Sequence, residues 1–144
     1  MGSAAIATLQ WVGLPPAEID GPTCLVREDG QAPQRWVDHG AQYLDVWDAV
    51  AVLHDRKVHV IHLLLEDSDR DYARYVVDTL HSDRVMAYAD DVLWLNDGEV
   101  QAQFLLDWRA ELARRPSQPQ VALTLALYRA QMAMWLLPPW KEYD

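Results

Sequence analysis

The run KVHVIHLLL constrains the fold more than any other stretch of the sequence. It covers Lys57–Leu65, is rich in β-branched and apolar residues, and has the length of a strand buried on both faces. Apolar residues repeat at helical spacing before it, in Ala41–His54, and after it, most clearly in Glu99–Arg114. This order predicts an α/β domain with one mixed sheet of about four or five strands, covered by about four helices. An α+β arrangement of the same elements stays open.

Shorter segments supply the other predicted elements. Strands are predicted at Ile6–Val12, Thr23–Arg27, Arg35–Val37 and Val92–Leu95. A loop with Gly and Pro separates the first two, which we expect to pair in antiparallel orientation. Asn96 is placed to cap the helix Glu99–Arg114. We interpret Val121–Leu137 as a buried helix, because polar residues interrupt it and it is short for a membrane span.

Length and charge restrict the number of domains and the kind of partner. The 144 residues contain no long linker, so residues 1–144 are predicted to form a single domain. The 22 acidic residues exceed the 12 basic ones, and the formal net charge is −10. Nucleic acids and anionic membranes are bound through an excess of Lys and Arg, so this charge argues against both as partners. It favours a basic protein and leaves the oligomeric state undetermined.

The N-terminal part has no feature of a secreted or lipid-anchored protein. Cys24 is the only cysteine, and it cannot form an internal disulfide. The segment MGSAAIATLQ has neither the basic start nor the long apolar centre of a signal peptide. Ile6 stands where N-myristoylation requires Ser or Thr. We therefore expect a cytoplasmic protein.

The acidic stretch EDSDRD, at Glu66–Asp71, allows two interpretations. Three aspartates alternate in it, as the first ligands of a helix–loop–helix calcium site do: Asp67, Asp69 and Asp71. Asp78 stands at the twelfth position of such a loop, but Tyr72 occupies the sixth, where the loop needs Gly. The alternative is a helix start with Ser68 as the N-cap and acidic residues in the first turn. We favour the helix start.

The sequence contains no catalytic motif. In a strand over Lys57–Leu65, His59 and His62 would point to opposite faces, so we interpret the histidines as structural residues, with a zinc site as the alternative. Cys24 is interpreted as a small buried residue and not as a thiolate nucleophile. No serine lies in a GxSxG motif, and no glycine-rich phosphate loop occurs. We therefore predict no catalytic residue, no metal and no cofactor.

The seven tryptophans are many for this length. Three fall on apolar helical stripes and are predicted to be core residues: Trp47, Trp108 and Trp135. Trp36 flanks a predicted loop, and Trp140 lies in the segment PPWKEYD. Each of these two either contacts a partner or folds back onto the domain.

The acidic residues of Ala41–His54 lie away from its apolar stripe. They form either an ordinary solvated face or a surface that docks into a basic cleft. The predicted partner-binding residues are Trp36, Asp38, Asp45, Asp48, Asp55, Glu66, Asp67, Asp69 and Asp71. The stretch GAQYLDVWD, at Gly40–Asp48, is similar to the acidic inhibitory helix of barstar, with a one-residue difference in spacing. This short similarity assigns the chain to no family.

Small size, acidity, many aromatic residues and the lack of a catalytic motif predict a non-enzymatic binding protein. The specific prediction is a bacterial-type immunity or antitoxin protein that masks the active cleft of a basic toxin such as a nuclease. The first alternative is a secretion chaperone or adaptor that dimerises through an apolar helix such as Val121–Leu137. The second is a small hydrolase or metal enzyme that uses the histidines, Cys24 or aspartates.

Overall fold

The computed structural model describes residues 7–28, 38, 50–82, 85–131 and 134–137, without the side chains at 53–58 and 135–137. The strands in these residues are β1 (Ala7–Trp11), β2 (Thr23–Arg27), β3 (Val50–His59), β4 (Met86–Leu95) and β5 (Met134–Leu137). The helices in them are α1 (Val60–Leu65), α2 (Arg70–Leu80), α3 (Glu99–Arg114) and α4 (Pro119–Ala130). The strands form one mixed sheet, which confirms the predicted fold class.

The strand order of the sheet is β1-β2-β4-β3-β5. β4 is antiparallel to both of its neighbours, whereas the outer pairs, β1–β2 and β3–β5, are parallel. The expected antiparallel pairing of the first two strands is therefore wrong. Residues 12–22 form a loop long enough to return the chain to the end of the sheet where β1 begins. Gly13 and Gly21 form its turns, with φ angles of 76° and 87°.

α3 and α4 cover one face of the sheet and enclose the larger part of the core. Phe104, Trp108 and Leu112 recur every four positions on α3, so one stripe of the helix packs on sheet residues such as Leu25. Trp108 is 1% exposed, which confirms it as a core residue. Its ring meets that of Trp11 edge to face, with the centroids 5.3 Å apart.

α1 and α2 form a second core cluster against α4. Val60 and Leu64 are one turn apart on α1, and Tyr72 and Val76 are one turn apart on α2. All four side chains are buried, and they share this cluster with Leu125 of α4. Because α4 belongs to both clusters, every residue from 121 to 127 is buried.

The run KVHVIHLLL is divided between a strand and a helix. β3 continues to His59 and α1 begins at Val60, so the prediction of one strand over Lys57–Leu65 is wrong from Val60 onward. A short apolar run fits a strand or a buried helix equally well. In this helix only Val60 and Leu64, four residues apart, are buried against the core. Residues 50–54 belong to β3, which contradicts the helix predicted at Ala41–His54, and residues 41–49 lie outside the described ones.

The last predicted helix is too long. α4 ends at Ala130, Gln131 adopts a left-handed backbone with φ of 51°, and β5 follows from Met134. The prediction for Val121–Leu137 is therefore wrong beyond Ala130, where no Gly or Pro marks the helix end. Trp135, predicted on a helical stripe, lies in β5. In the part of the chain that the structure describes, no helix combines the length and apolarity of a membrane span.

The remaining boundaries are mostly as predicted. The bounds of Thr23–Arg27 and Glu99–Arg114 are confirmed. β4 begins at Met86, before the predicted strand, and the N-cap of α3 is Gly98, not Asn96. The predicted strand Arg35–Val37 lies outside the described residues.

Candidate functional site

The acidic stretch Glu66–Asp71 joins α1 to α2 and starts the second helix. α2 begins at Arg70, and its N-cap is Asp69. Oδ1 of Asp69 accepts hydrogen bonds from the backbone N–H groups of the second and third helical residues, both at 3.1 Å. The predicted helix start is therefore confirmed, but the cap follows the predicted Ser68 by one position.

Asp67 is held by two residues that follow α3. Nε of Arg115 donates to Oδ2 of Asp67 at 3.1 Å and Nη2 donates to Oδ1, so the ion pair is bidentate. The side-chain amide of Gln118 donates to Oδ2 at 3.1 Å. The Asp67 side chain is only 6% exposed. The hydrogen bond from Arg115, followed by those from the Asp69 backbone and Gln118, lowers the pKa of Asp67 from 3.8 to about 2.

These contacts fasten the α1–α2 junction to the α3–α4 loop. Gln118 also donates to the backbone oxygen of Leu63 at 3.0 Å, and Nη1 of Arg115 lies 3.3 Å from Oδ2 of Asp69. Tyr72, which occupies the glycine position of a calcium loop, lies inside α2 and is 5% exposed. Among the described residues, no group of three or more His, Cys, Asp or Glu side chains could hold a metal ion. The two carboxylates therefore act as structural acceptors.

A second buried carboxylate, that of Glu111 in α3, joins three helices. Its Oε1 accepts hydrogen bonds from the Tyr75 hydroxyl of α2 and from Nη1 of Arg129 in α4, each at 2.5 Å. Burial, and then the hydrogen bond to Glu111, raise the pKa of Tyr75. The Arg114 guanidinium lies 4.0 Å from the centroid of the Tyr75 ring. Glu111 is not among the residues predicted from the sequence.

The signal that would have found Glu111 is its place on the helix. It lies between Trp108 and Leu112 on the buried stripe of α3, where a carboxylate needs a partner. Its Oε2 is buried and has no hydrogen-bond partner in the described part of the chain. The cluster is suited to holding α2, α3 and α4 together.

His59 and His62 are closer together than predicted. Because the strand ends at His59 and a helix follows, the two imidazole centroids lie 5.4 Å apart, not on opposite faces of a strand. Cys24 is fully buried, which confirms its interpretation as a core residue. Burial, and then the charge of Asp38, raise the pKa of its thiol to about 12. Such a thiol is not a nucleophile at neutral pH.

The structure describes only part of the predicted partner-binding surface. Outside the described residues or side chains lie Trp36, Asp45, Asp48 and Asp55, together with Trp47, Trp140 and the stretch Gly40–Asp48. Asp38 is exposed, and its charge contributes to the raised pKa of the Cys24 thiol. Cys24 is next to Leu25 on β2, and because Leu25 packs on α3, the side chain of Cys24 points to the opposite face of the sheet. Glu66 and Asp71 are exposed on the helix side. The described residues of the predicted surface are therefore divided between the α1–α2 segment and Asp38, which lies near enough to Cys24 of β2 for its charge to act on the thiol.

A different group of carboxylates lies in chain segments that adjoin one end of the sheet. Thr23 pairs with Leu95, so the last residues of the 12–22 loop and the loop that leaves β4 lie at the same end. These loops and the first residue of α3 carry four exposed carboxylates, which we call the carboxylate end: Glu18, Asp20, Asp97 and Glu99. Neither loop contains a basic residue. The two halves of this group are far apart in the chain, so no local pattern in the sequence predicts it.

Exposed charges are unevenly distributed over the described residues. Nine carboxylates are exposed in them: Glu18, Asp20, Glu28, Asp38, Glu66, Asp71, Asp78, Asp97 and Glu99. Only four arginines are exposed in the described residues. They lie on α2 or near the C-terminal ends of α3 and α4: Arg70, Arg74, Arg114 and Arg129. The carboxylate end and Arg114 are at opposite ends of α3, roughly 22 Å apart at 1.5 Å per residue.

A cleft of 540 Å³ opens where β1 and β2 end. Its lining residues are Trp11, Val12, Gly13, Arg27, Glu28, Leu112, Pro116 and Pro119. The volume is typical of a small-molecule site. However, Arg27 forms an ion pair with Asp90, and the lining residues include no His, Cys or Ser that could act as a nucleophile or base.

Comparison of the chain with protein-family models, with curated proteins and with solved structures finds no match in any of the three.

Proposed function

We propose that the protein binds a basic protein and inhibits it, as bacterial immunity and antitoxin proteins inhibit their toxins. The carboxylate end is the observation that carries this proposal. It presents four exposed carboxylates, three from two loops that contain no basic residue and one from the first residue of α3. Because the net charge of the chain is −10, the field of the whole molecule adds to that of this end.

The carboxylate end suits a target whose cleft binds phosphate groups. A nuclease lines such a cleft with Lys and Arg, and closely spaced carboxylates can replace the polyanion there. The loop that carries Glu18 and Asp20 is held in place, because Arg109 donates to the backbone oxygen of Pro15 and Ile19 packs on the core. A loop fixed before binding loses little conformational entropy when it meets its target.

The test compares sets of substitutions that remove the same charge from different places. The first set is Glu18→Gln, Asp20→Asn and Asp97→Asn, at the carboxylate end. Its matched control is Glu66→Gln, Asp71→Asn and Asp78→Asn, at three exposed positions on or beside α2. A third set, Asp45→Asn with Asp48→Asn, tests the surface predicted from the sequence alone.

Each variant is used as bait in cells of the native host, and the bound proteins are identified after low-salt and high-salt washes. We expect the parent chain and the control set to retain one stoichiometric basic protein that high salt loosens. The association rate of the carboxylate-end set with this protein should be about tenfold lower and should depend less on salt, because the electrostatic attraction that speeds association is lost. The proposal fails if the captured protein is acidic, or if all three sets behave like the parent. If only Asp45 and Asp48 matter, the function stands and the assigned surface is wrong.

Two alternatives receive less support. A chaperone that dimerises through the apolar segment after Val121 would need that face to be free, but residues 121–127 of α4 are buried in the domain. A thiol-dependent hydrolase would need a reactive Cys24, and its raised pKa and full burial weigh against this.

A further inference from the structure

The outer face of α3 is unusual for a helix that faces solvent in so acidic a protein. Eight of its positions are exposed: Glu99, Val100, Ala102, Gln103, Leu106, Ala110, Ala113 and Arg114. Only the first and the last of these carry a charge, and the two charges are opposite. Val100 is 48% exposed and Leu106 is 51% exposed. A solvated helix face ordinarily carries charged residues along its length.

The spacing of these residues forms one seam. Glu99, Gln103, Leu106, Ala110 and Ala113 follow one another at alternating steps of four and three. This is the spacing with which one helix packs along another, and the alanines leave room for close approach. The opposite face of α3 is already buried, since Phe104, Trp108 and Leu112 pack on the sheet. The outer seam is therefore available for a second contact.

We propose that this seam pairs with the same seam of a second copy of the chain, in antiparallel orientation about a two-fold axis near Leu106. In this arrangement Glu99 of each copy meets Arg114 of the other, and Leu106 lies at the centre. Arg114, whose guanidinium also contacts the Tyr75 ring, adjoins the seam beside Ala113, so it lies near Glu99 of the other copy, and the two helix dipoles are aligned favourably. A parallel pair would instead place Glu99 beside Glu99 and Arg114 beside Arg114. The inference does not depend on the proposed function.

The size of the seam sets the strength of the contact. A helix of 16 residues is roughly 24 Å long, which gives an interface at the small end of the range for specific association. Asp107 and Arg109 border the seam and are half-exposed, so they add little. The expected result is a reversible dimer that forms as the protein concentration rises, and not an obligate one.

Sedimentation equilibrium over a series of concentrations, from micromolar to millimolar, measures the association of the full chain. Leu106→Glu should raise the dissociation constant by at least about tenfold, because it places two carboxylates at the centre of the seam. The matched control is Leu65→Glu, which puts the same charge at a position that is 76% exposed but lies on α1. Circular dichroism confirms that each variant is folded.

Charge reversal tests the orientation. Glu99→Arg alone and Arg114→Glu alone should each weaken self-association, because each homodimer then contains two like-charged contacts. A mixture of the two variants should form heterodimers, since every contact in the mixed pair joins opposite charges. Thermal unfolding of Arg114→Glu monitors any effect of losing the contact between Arg114 and the Tyr75 ring. A chain that stays monomeric throughout, a dimer indifferent to Leu106→Glu, or a mixture that forms no heterodimer would overturn the proposal.

Discussion

A carboxylate of the α1–α2 junction and those of the carboxylate end have opposite surroundings. At the α1–α2 junction, Asp67 is 6% exposed and receives hydrogen bonds from Arg115 and Gln118. At the carboxylate end, Glu18, Asp20, Asp97 and Glu99 are exposed, and the loops around them contain no basic residue. The first region uses its negative charge to join helices, and the second presents its charge to solvent.

Arginine accounts for much of this difference. Arg27, Arg115 and Arg129 each form an ion pair with a largely buried carboxylate: Asp90, Asp67 and Glu111. Such pairs satisfy groups that would otherwise be costly to bury. Arginines that form these pairs are not available to neutralise the charge of the exposed carboxylates. The internal ion pairs therefore help to determine where the surface is acidic.

Removing a guanidinium from the paired group should have the largest effect. Arg129→Met leaves the buried Glu111 with only the Tyr75 hydroxyl as a donor among its present partners. We expect the free energy of unfolding, measured in urea, to fall by about 2 kcal/mol. Arg74→Met, at an exposed position on α2, is the control and should change it by less than about 0.5 kcal/mol. Equal effects would contradict the structural role of Arg129.

The N-cap of α2 should contribute less. Asp69→Ala removes the acceptor of two backbone hydrogen bonds and should lower the free energy of unfolding by about 1 kcal/mol. Ser68→Ala should have almost no effect, although the sequence alone predicts Ser68 as the cap. If the two substitutions exchanged roles in the same urea titration, the helix would start one residue earlier than described.

The Asp67 pair should be visible in the pH dependence of stability. The pKa of Asp67 falls from 3.8 to about 2 in the folded chain, so its contribution is complete above pH 3.8 and is lost as the pH falls towards 2. Asp67→Asn lacks this contribution. The difference in unfolding free energy between parent and variant should therefore be constant above about pH 5 and shrink in urea titrations at lower pH. A difference that does not change with pH would show that Asp67 acts through its shape alone.

Neutralising the carboxylate end should have the smallest effect on stability. We expect Glu18→Gln, Asp20→Asn and Asp97→Asn together to change the free energy of unfolding by less than about 0.5 kcal/mol, because none of the three side chains is buried. The same urea titration measures it. A clear loss of stability would mean that these carboxylates have structural partners, and the contrast between the two regions would disappear.

The sequence predicted correctly those elements whose apolar pattern ends at a clear change of composition. β2 and α3 are examples, because each has a regular pattern and a clear change of composition at its ends. The division of KVHVIHLLL at Val60 and the end of α4 at Gln131 were missed. In both places the apolar pattern continues through the boundary, and packing against other elements decides the structure. The parallel pairing of β1 with β2 likewise depends on the path of the connecting loop.

The site was harder to predict than the fold because its contacts join distant residues. The acidic stretch at Glu66–Asp71 was recognised as a helix start, but nothing local indicates that Arg115 and Gln118 would hold Asp67. The carboxylate end exists only because Thr23 pairs with Leu95. A charged residue on a buried stripe, as at Glu111, is the one local signal that the sequence offered.

The pairing of β3 with β5 has a consequence for biosynthesis. β3 lies between β4 and β5 in the sheet, yet the chain makes α3 and α4 before it makes β5. While the ribosome is still adding those helices, β4 is the only described strand with which β3 can pair. An unpaired strand edge with the sequence VAVLH is open to strands of other nascent chains. The arrival of Met134–Leu137 closes that edge, so synthesis that stops short of these four residues would leave this edge of β3 exposed.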